Sequence, residues 1–135
     1  MPKSLLDTDT LSAVLKHNPN ALSHSRSYLA AYGLLTFSLI TRYEILRGLK
    51  AKNAVIQIAA FEKLCAASEI LPLTDSVVLR AAEIYAALHQ QGQLIGDADI
   101  LIAATAITNG LTCVTNNENH FKRIPSLFRE NWLKL

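Results

Sequence analysis

The chain is predicted to form an α/β domain in which helices flank a central, mainly parallel β-sheet. Half of its 135 residues are hydrophobic, which is enough apolar surface to bury one core. Short apolar runs alternate with segments of helical spacing, as in sheets whose parallel strands are joined by helices. Because no repeat, linker or low-complexity segment interrupts this alternation, residues 1–135 are expected to form a single domain.

Four short apolar runs bounded by polar or turn residues are read as strands. They cover, in chain order, residues 4–6, 34–37, 69–73 and 111–114. The third run contains Pro72, which has no N–H to donate to a sheet, so this strand is expected near an edge. The tail after Pro125 has a mixed pattern, in which Trp132 is expected to anchor the chain.

Six segments between these runs have helical spacing or capping residues. They are expected at about residues 10–16, 19–32, 40–51, 54–68 and 75–90, and from Asp97 or Asp99 to residue 108. Their N-capping residues are Thr8 or Asp9, Asn18 before Pro19, Asn53, and Thr74 or Asp75. Gly33 and Gly110 mark helix ends. The run ILIAATAI in the last helix is apolar nearly all round, so that helix is expected to be buried.

Charge and cysteine content exclude several classes of protein. Thirteen Lys and Arg against eleven Asp and Glu give a net charge of +2, too small to indicate a nucleic-acid partner by itself. Cys65 and Cys113 lie in apolar surroundings and are expected to be buried thiols, with no disulfide framework. No uninterrupted run of about 18 apolar residues indicates a membrane span, and no signal-peptide core precedes Asp7. A cytoplasmic protein without a membrane partner is therefore expected.

Acidic and amide residues lie at strand ends or in the helices nearby, and the chain topology can bring them to one edge of the sheet, where parallel sheets bind their ligands. In chain order they are Asp7, Glu44, Asp97, Asp99, Asn116 and Asn117. Each acid has a purely structural explanation when it is taken singly. The aspartates can cap or begin helices, and Glu44 can pair with Arg47 across one helical turn.

Taken together, carboxylates at one sheet edge would repel one another and raise each other's pKa values unless a cation lay between them. Mg²⁺ and Mn²⁺ prefer oxygen ligands and bind few protein carboxylates. Such an ion can polarise a phosphoryl oxygen and lower the pKa of water. A set of acids without Cys or His ligands therefore indicates phosphate chemistry with Mg²⁺ or Mn²⁺ in preference to zinc.

Four segments resemble, in this order, the motifs of the PIN-domain family, in particular the VapC-like ribonuclease toxins of bacterial toxin–antitoxin pairs. They are LLDTDTLS with Asp7, SLITRYEILRG with Glu44, IGDADILIAATAI with Asp99, and TNNENHFKRI with Asn117. No single motif is specific, but their order in a chain of this length is. Asn117 stands where many members carry a fourth acid, so Asp97, Asn117 and Glu118 are alternatives for the fourth ligand.

The resemblance implies a PIN-like three-layer domain that hydrolyses RNA phosphodiester bonds with Mg²⁺ or Mn²⁺. Asp7, Glu44 and Asp99 would be the catalytic acids and, together with Asp97, the metal ligands. Other polar residues would position water, phosphate or substrate: Asn117, Thr115, Ser38 and Thr8. Basic residues expected to contact the RNA backbone crowd one segment: Arg42, Arg47, Lys50 and Lys52.

The same resemblance implies a set of partners. The substrate would be RNA, with tRNA as one class of it, and a small VapB-like antitoxin would cover the site. The chain is expected to form a homodimer and to meet DNA only indirectly, through the antitoxin.

Two other functions remain open at the level of sequence. The patterns DTDTL and GDAD are similar to those of haloacid-dehalogenase-type phosphatases, in which Asp7 would be a covalent nucleophile and Asp9 a general acid. Leu11 stands where that family prefers Thr or Val, so this fit is poorer. The second alternative is a PIN-like binding module whose site is incomplete because residue 117 is Asn. Substitution of Asp9 tests the first alternative, and metal titration tests the second.

Overall fold

The computed structural model describes residues 1–134; residue 135, the last of the predicted domain, lies outside the described part. The strands in this part are β1 (Ser4–Leu6), β2 (Thr36–Ser38), β3 (Glu69–Leu71), β4 (Thr112–Val114) and β5 (Arg129–Glu130). The helices are α1 (Thr8–Leu15), α2 (Pro19–Tyr32), α3 (Leu39–Ala51), α4 (Val55–Ala66), α5 (Asp75–Gln90), α6 (Asp97–Thr108) and α7 (Glu118–Phe121). One or two helices therefore join each pair of successive strands.

All five strands are parallel, and their order across the sheet is β3-β2-β1-β4-β5. In the central strand β1, Leu6 pairs with Phe37 of β2, and Leu5 pairs with Cys113 of β4. The chain adds β2 and β3 on one side of β1 and then returns to add β4 on the other side. Parallel sheets bind ligands where the strand order reverses in this way, outside the carboxyl ends of the two central strands.

Two apolar clusters cover the two faces of the sheet, because successive residues of a strand point to opposite sides. Leu5 and Cys113 belong to the cluster that contains the buried residues of α5 and α6. Leu6 and Val114 belong to the other cluster, with buried residues of α1, α2, α3 and α4. The three-layer α/β architecture that the sequence predicts is therefore confirmed.

Helix α6 is buried along most of its length, as its apolar run predicts. Ile102, Ala103, Ala104 and Ala106 are fully buried within the cluster that includes α5. Because the body of the helix is embedded, its first turn is held at a defined place beside the sheet. That turn contains Asp97 and Asp99.

Two predicted N-caps are wrong. Helix α1 begins at Thr8, and its cap is Asp7, because an aspartate directly after a strand can cap the next helix without an intervening loop. Asn53 has a left-handed backbone with φ 51°, so Ala54 takes the cap position of α4 and makes no side-chain hydrogen bond. Helix α6 begins at Asp97, as the sequence predicts, with Gly96 as its cap and both aspartates in the first turn.

Several other predictions are confirmed. Helix α2 starts at Pro19 after the cap Asn18 and ends at Gly33, whose φ of 83° is left-handed. The strand before Pro72 lies at an edge of the sheet, and both cysteines are buried free thiols. The short elements α7 and β5 were not predicted. Among residues 1–134, no helix has the length and apolar character needed to cross a bilayer.

Candidate active site

The carboxyl ends of β1, β2 and β4 meet at one edge of the sheet, and polar residues lie there. Asp7 directly follows β1, Ser38 ends β2, and Thr115 directly follows β4. All three side chains are buried. The hydroxyl of Ser38 caps α3 by accepting a hydrogen bond from the backbone N–H of Ile40 at 3.2 Å. Strand ends and helix starts thus surround the same point, at which the strand order reverses.

Asp7 is the most deeply buried acid of this edge, with 3% of its surface exposed. Its backbone N–H donates to the carbonyl of Val114 at 3.0 Å, and its carboxylate accepts from the N–H of Thr10 at 2.9 Å. Burial raises the pKa of Asp7 to about 6, although hydrogen bonds from Thr115 and Thr10 partly offset the rise and Asp9 adds to it. A buried carboxyl group with a raised pKa is typical of a functional site.

Asp99 is joined to this edge through the segment that follows β4. The side-chain amide of Asn117 donates to Oδ2 of Asp99 at 3.2 Å, and the backbone N–H of Asn117 donates to Oγ1 of Thr115 at 2.9 Å. Nδ1 of His120 lies 3.3 Å from the same Asp99 oxygen. Burial and the negative charges of Asp7 and Asp99 together raise the pKa of the Cys113 thiol, so both carboxylates act on the end of β4.

Glu44 is joined to the residue after Asp7. The hydroxyl of Thr8 donates to Oε1 of Glu44 at 2.6 Å and lies 3.1 Å from the hydroxyl of Thr41. Arg47 lies 3.5 Å from the other oxygen of Glu44, one helical turn further along α3. Glu44 therefore pairs with Arg47, as its helical spacing predicts, and also contacts the residue after Asp7.

A cleft of about 290 Å³ opens beside Glu44, between α1, α3 and α4. Thr8 and Glu44 form one end of it, while Lys16 and Lys52 add positive charge. Its remaining walls are largely apolar side chains. Because Thr8 and Glu44 line this cleft, a ligand that entered it would reach Glu44.

The carboxylate oxygens of these acids are suitable ligands for a hard divalent cation, although the acids are not gathered into one cluster. Within the described part of the chain, no three His, Cys, Asp or Glu side chains lie close enough together to hold one metal ion. Asn117 instead joins Asp99 to Thr115 at the end of β4, and Thr8 joins Glu44 to the segment that contains Asp7. The donors are carboxylate oxygens, which Mg²⁺ and Mn²⁺ prefer. No cationic side chain of residues 1–134 pairs with the buried Asp7 carboxylate, so a cation would relieve its burial.

Comparison with known families matches the PIN domain over residues 4–127. The chain belongs to the PIN-domain family. The match covers β1 to the segment before β5 and includes all the acids described above. It favours the PIN interpretation over the phosphatase alternative, and Asp9, the general acid of that alternative, is an exposed residue of α1.

This PIN domain is similar along nearly its whole length to VapC proteins. It is 34% identical to "Ribonuclease VapC2" of Haemophilus influenzae, over 98% of this chain and 100% of that protein. It is 29% identical to "tRNA(fMet)-specific endonuclease VapC" of Salmonella typhimurium, over 98% of this chain and 99% of that one. The crystal structure of DNA-bound VapBC from Salmonella typhimurium superposes with a TM-score of 0.86 at 30% identity, covering 98% of this chain and 99% of that one.

The remaining predicted site residues of the PIN domain lie at its periphery. Asp97 is exposed at the start of α6. Glu118 accepts hydrogen bonds from Lys134 at 2.7 Å and Asn131 at 3.2 Å, contacts that hold it against the C-terminal tail. These contacts lower the pKa of Glu118. The fourth-ligand candidate that touches Asp99 is Asn117.

The four predicted RNA-contacting cations are not equivalent. Arg42 forms a two-pronged ion pair with Glu62 of α4, in which Nη2 and Oε2 are 3.1 Å apart. Arg47 lies over the ring of Tyr43, with its guanidinium carbon 5.3 Å from the ring centre. Lys50 and Lys52 are exposed at the end of α3, and Lys52 lines the cleft.

His120 is not among the residues that the sequence predicts for the site, and the structure places it beside Asp99. The signal that identifies it is its spacing from Asn117. Residues three apart lie on the same face of a helical turn, and α7 is such a turn with Asn117 as its cap. The side chains of both residues consequently reach the same carboxylate oxygen.

Proposed function

We propose that this VapC-like PIN domain is a Mg²⁺- or Mn²⁺-dependent endoribonuclease that acts as the toxin of a toxin–antitoxin pair. The observation that carries the proposal is the buried carboxylate of Asp7, whose pKa is raised to about 6 at the point where the strand order reverses. Asp99 and Glu44 are linked to its surroundings by hydrogen bonds. Phosphodiester hydrolysis needs charge neutralisation and positioning more than covalent chemistry, and such an edge can provide both with a cation.

In this proposal, Asp7, Glu44 and Asp99 would be drawn together as ligands when the ion binds, and the exposed Asp97 would add negative charge at the rim. When bound, a divalent ion supplies positive charge to phosphate oxygens and lowers the pKa of water. The neighbouring hydroxyls and amide orient the acids. Thr8 hydrogen-bonds Glu44, Asn117 hydrogen-bonds Asp99, and Thr115 accepts from the backbone N–H of Asn117 beside Asp7. Ser38 starts the helix that carries Glu44.

RNA is the proposed substrate, and tRNA is the class to test first. The names of the Haemophilus influenzae and Salmonella typhimurium relatives, a ribonuclease and a tRNA(fMet)-specific endonuclease, support this choice. Arg47, Lys50 and Lys52 would approach the phosphate backbone along the end of α3, where Lys52 lines the cleft. Arg42 is engaged by Glu62, so we expect it to contribute less to RNA binding.

A VapB-like antitoxin is the proposed protein partner, as in the VapBC complex from Salmonella typhimurium. We also propose a homodimer that meets DNA only indirectly, through the antitoxin. Expression of the chain alone should halt bacterial growth, and co-expression of a cognate partner should restore it. Unhindered growth in the presence of soluble, intact protein would argue against a toxin.

The direct experiment is cleavage of a total tRNA pool by the purified chain in Mg²⁺, in Mn²⁺ and in EDTA. Asp7→Asn, Glu44→Gln and Asp99→Asn should each abolish the metal-dependent cleavage. Glu83→Gln is the matched control, because Glu83 is exposed on α5 and pairs with Arg80. Asp9→Asn should also leave most activity. Cleavage that persists in EDTA, or in two of the three acid variants, would refute the assignment.

A binding module without catalysis is the second candidate, because no three acids among residues 1–134 lie in one cluster and residue 117 is Asn. Calorimetric titration with Mn²⁺ separates it from the nuclease. The nuclease should bind Mn²⁺ in a manner that depends on Asp7 and Asp99. A binding module should show neither this affinity nor RNA cleavage.

A further inference from the structure

The chain that follows β5 lies against the segment that follows β4, and Asn131 makes the contact. Nδ2 of Asn131 donates to Oδ1 of Asn116 at 3.0 Å and to Oε2 of Glu118 at 3.2 Å. These two residues stand on either side of Asn117, whose amide donates to Asp99 at 3.2 Å. A single side-chain amide therefore bridges the two chain neighbours of a residue of the candidate site.

The orientation of the Asn131 amide follows from a third hydrogen bond. Its Oδ1 accepts from the backbone N–H of Leu133 at 2.9 Å, and a backbone N–H can only donate. The nitrogen of the amide consequently faces Asn116 and Glu118, and its two N–H groups can serve both acceptors at once. The oxygen of this side chain is thus used by the local turn, and the nitrogen is used by the bridge.

The tail that carries Asn131 is anchored on both sides of this residue. Before it, the carbonyl of Glu130 in β5 accepts from the backbone N–H of Thr115 at 2.9 Å. After it, Trp132 is 2% exposed and its ring stacks on that of His24 in α2, with the ring centres 6.0 Å apart. Because the backbone is held before and after Asn131, its amide is a fixed support for the segment that it contacts.

The segment that Asn131 bridges has little stability of its own. Asn116 and Glu118 are exposed, and α7, which begins at Glu118, is one helical turn of four residues. A single turn is unstable in isolation, because it restricts several residues for one hydrogen bond. Asn117 occupies the N-cap position of this turn, but its amide is directed at Asp99. The place of Asn117 therefore depends on contacts from outside the segment.

We propose that Asn131 is a positioning residue of the candidate active site, which holds residues 116–118 so that the amide of Asn117 stays on Asp99. This inference rests on the proposed ribonuclease function. Asn131 acts on Asp99 through Asn117, so its loss should slow turnover more than it weakens substrate binding.

Lys134 is a second contact to Glu118, at 2.7 Å, and it serves as a comparison. The two side chains are 68% and 46% exposed, and exposed ion pairs contribute little and are screened by salt. Lys134→Met should therefore leave kcat within about twofold of the parent. The bridge from Asn131 should be the contact on which the segment depends.

Asn131→Asp is the decisive variant, because it keeps the side-chain size and the acceptor for the local turn but replaces the N–H donors by a carboxylate oxygen. This oxygen repels the carboxylate of Glu118. The variant should lower kcat for RNA cleavage about tenfold or more, with KM within about twofold. Asn109→Asp is the matched control, because Nδ2 of Asn109 donates to the carbonyl of Thr105 at 2.8 Å, at the opposite end of α6 from Asp99. It should keep the kcat of the parent.

A second substitution can restore the bridge in the opposite direction. In the Asn131→Asp background, Glu118→Gln supplies N–H groups that donate to the new carboxylate, and it removes the repulsion. The double variant should regain most of the lost kcat. A general loss of stability would not be reversed by this second change, so the rescue separates positioning from stability.

Hydrogen exchange of the chain without RNA gives a readout that is independent of activity. The backbone N–H groups of His120 and Phe121 donate to the carbonyl of Asn117 at 3.2 Å. Their exchange should be about fivefold faster or more in Asn131→Asp, because the loss of the bridge lets the segment open more often. Exchange of the buried Ile102 on α6 should stay unchanged.

Each result supports or overturns the role of Asn131. Faster exchange in α7 together with a lower kcat that the double variant restores supports it. Unchanged exchange, an unchanged kcat or a failed rescue overturns it and leaves the nuclease intact. A parent chain that cleaves no RNA refutes the proposed function itself. If Asn131→Asp does not fold, Asn116→Ala combined with Glu118→Ala removes both exposed acceptors and should give the same losses.

Discussion

The hydroxyl of Thr8 donates a hydrogen bond of 2.6 Å to the carboxylate of Glu44. This contact joins the start of α1 to the middle of α3, two elements that are far apart in the chain. Because Thr8 directly follows Asp7, one short segment carries a buried acid and also fixes the position of a second acid. A hydroxyl at residue 8 is therefore expected to matter for the geometry of the site.

Thr8→Val should lower the rate of RNA cleavage about tenfold to a hundredfold, since it removes the group that orients Glu44 and keeps the side-chain size. Thr8→Ser, which retains the hydroxyl, is the matched control and should keep most activity. Steady-state kinetics measures both variants. Equal activity in Val and Ser variants would mean that the hydrogen bond has no part in positioning Glu44.

Protonation of Asp7 should make the metal-free protein more stable as the pH falls from 7.5 to 5. Burial raises the pKa of Asp7 from 3.8 to about 6. As the pH falls over this range, the folded state therefore takes up a proton on Asp7, while the unfolded state stays ionised there. The stability that this proton contributes is lost as the pH rises through 6. Linkage gives about 1 kcal/mol between the two pH values. Urea denaturation in EDTA measures it.

Asp7→Asn isolates this contribution, because asparagine caps a helix as well as aspartate does and carries no charge. The variant should be more stable than the parent at pH 7.5 in EDTA, and its advantage should shrink by about 1 kcal/mol at pH 5. Asp7→Ala additionally loses the cap and should be less stable than Asp7→Asn by about 1 kcal/mol. A stability difference between parent and Asn variant that is independent of pH would contradict the raised pKa.

Gly48→Ala should stabilise the protein by about 0.5 to 1 kcal/mol, because glycine inside a helix costs backbone entropy. Gly48 lies in α3, and a Cβ added there would meet open space in the cleft. Gly33→Ala is the opposite case, since its φ of 83° is strained for an L residue. The melting temperature should therefore rise for Gly48→Ala and fall for Gly33→Ala. A lower melting temperature for Gly48→Ala would contradict the open space that the structure shows around residue 48.

Trp132→Ala should destabilise the protein by about 3 to 5 kcal/mol, the usual cost of removing a large buried aromatic residue. Trp132 is 2% exposed, and its ring lies 5.7 Å from that of Tyr28 on α2. Phe128→Ala is the control, because Phe128 is 77% exposed. Chemical denaturation measures both, and a small effect of Trp132→Ala would mean that the C-terminal tail is not anchored to α2.

The periodicity of the sequence predicted the elements that are long or strongly apolar. Helices α2 and α5 and the buried helix α6 lie where spacing and glycine ends indicate. Strand β5 and helix α7 are too short to have a period of their own. Arg129 and Glu130 form a strand because the edge of β4 offers them partners, which is a tertiary effect that local sequence does not contain.

The candidate site was predictable to the extent that strand order can be inferred. Asp7 after β1 and Asn117 after β4 lie at the same edge of the sheet because these two strands are neighbours and parallel. The contact of Thr8 with Glu44 and that of His120 with Asp99 depend on how α3 and α7 pack. Short-range patterns do not determine such packing. The same limit applies to Glu118, whose partner Lys134 comes from the C-terminal tail.

The alternation of strands in the sheet also affects when the protein becomes competent during its synthesis. Strand β1 is made before its neighbour β4 and before the segments that carry Asp99, Asn117 and His120. A nascent chain thus contains Asp7 and Glu44 long before the residues that β4 and α7 bring to the same edge of the sheet. Chains released before β4 is made should therefore be unable to form the site.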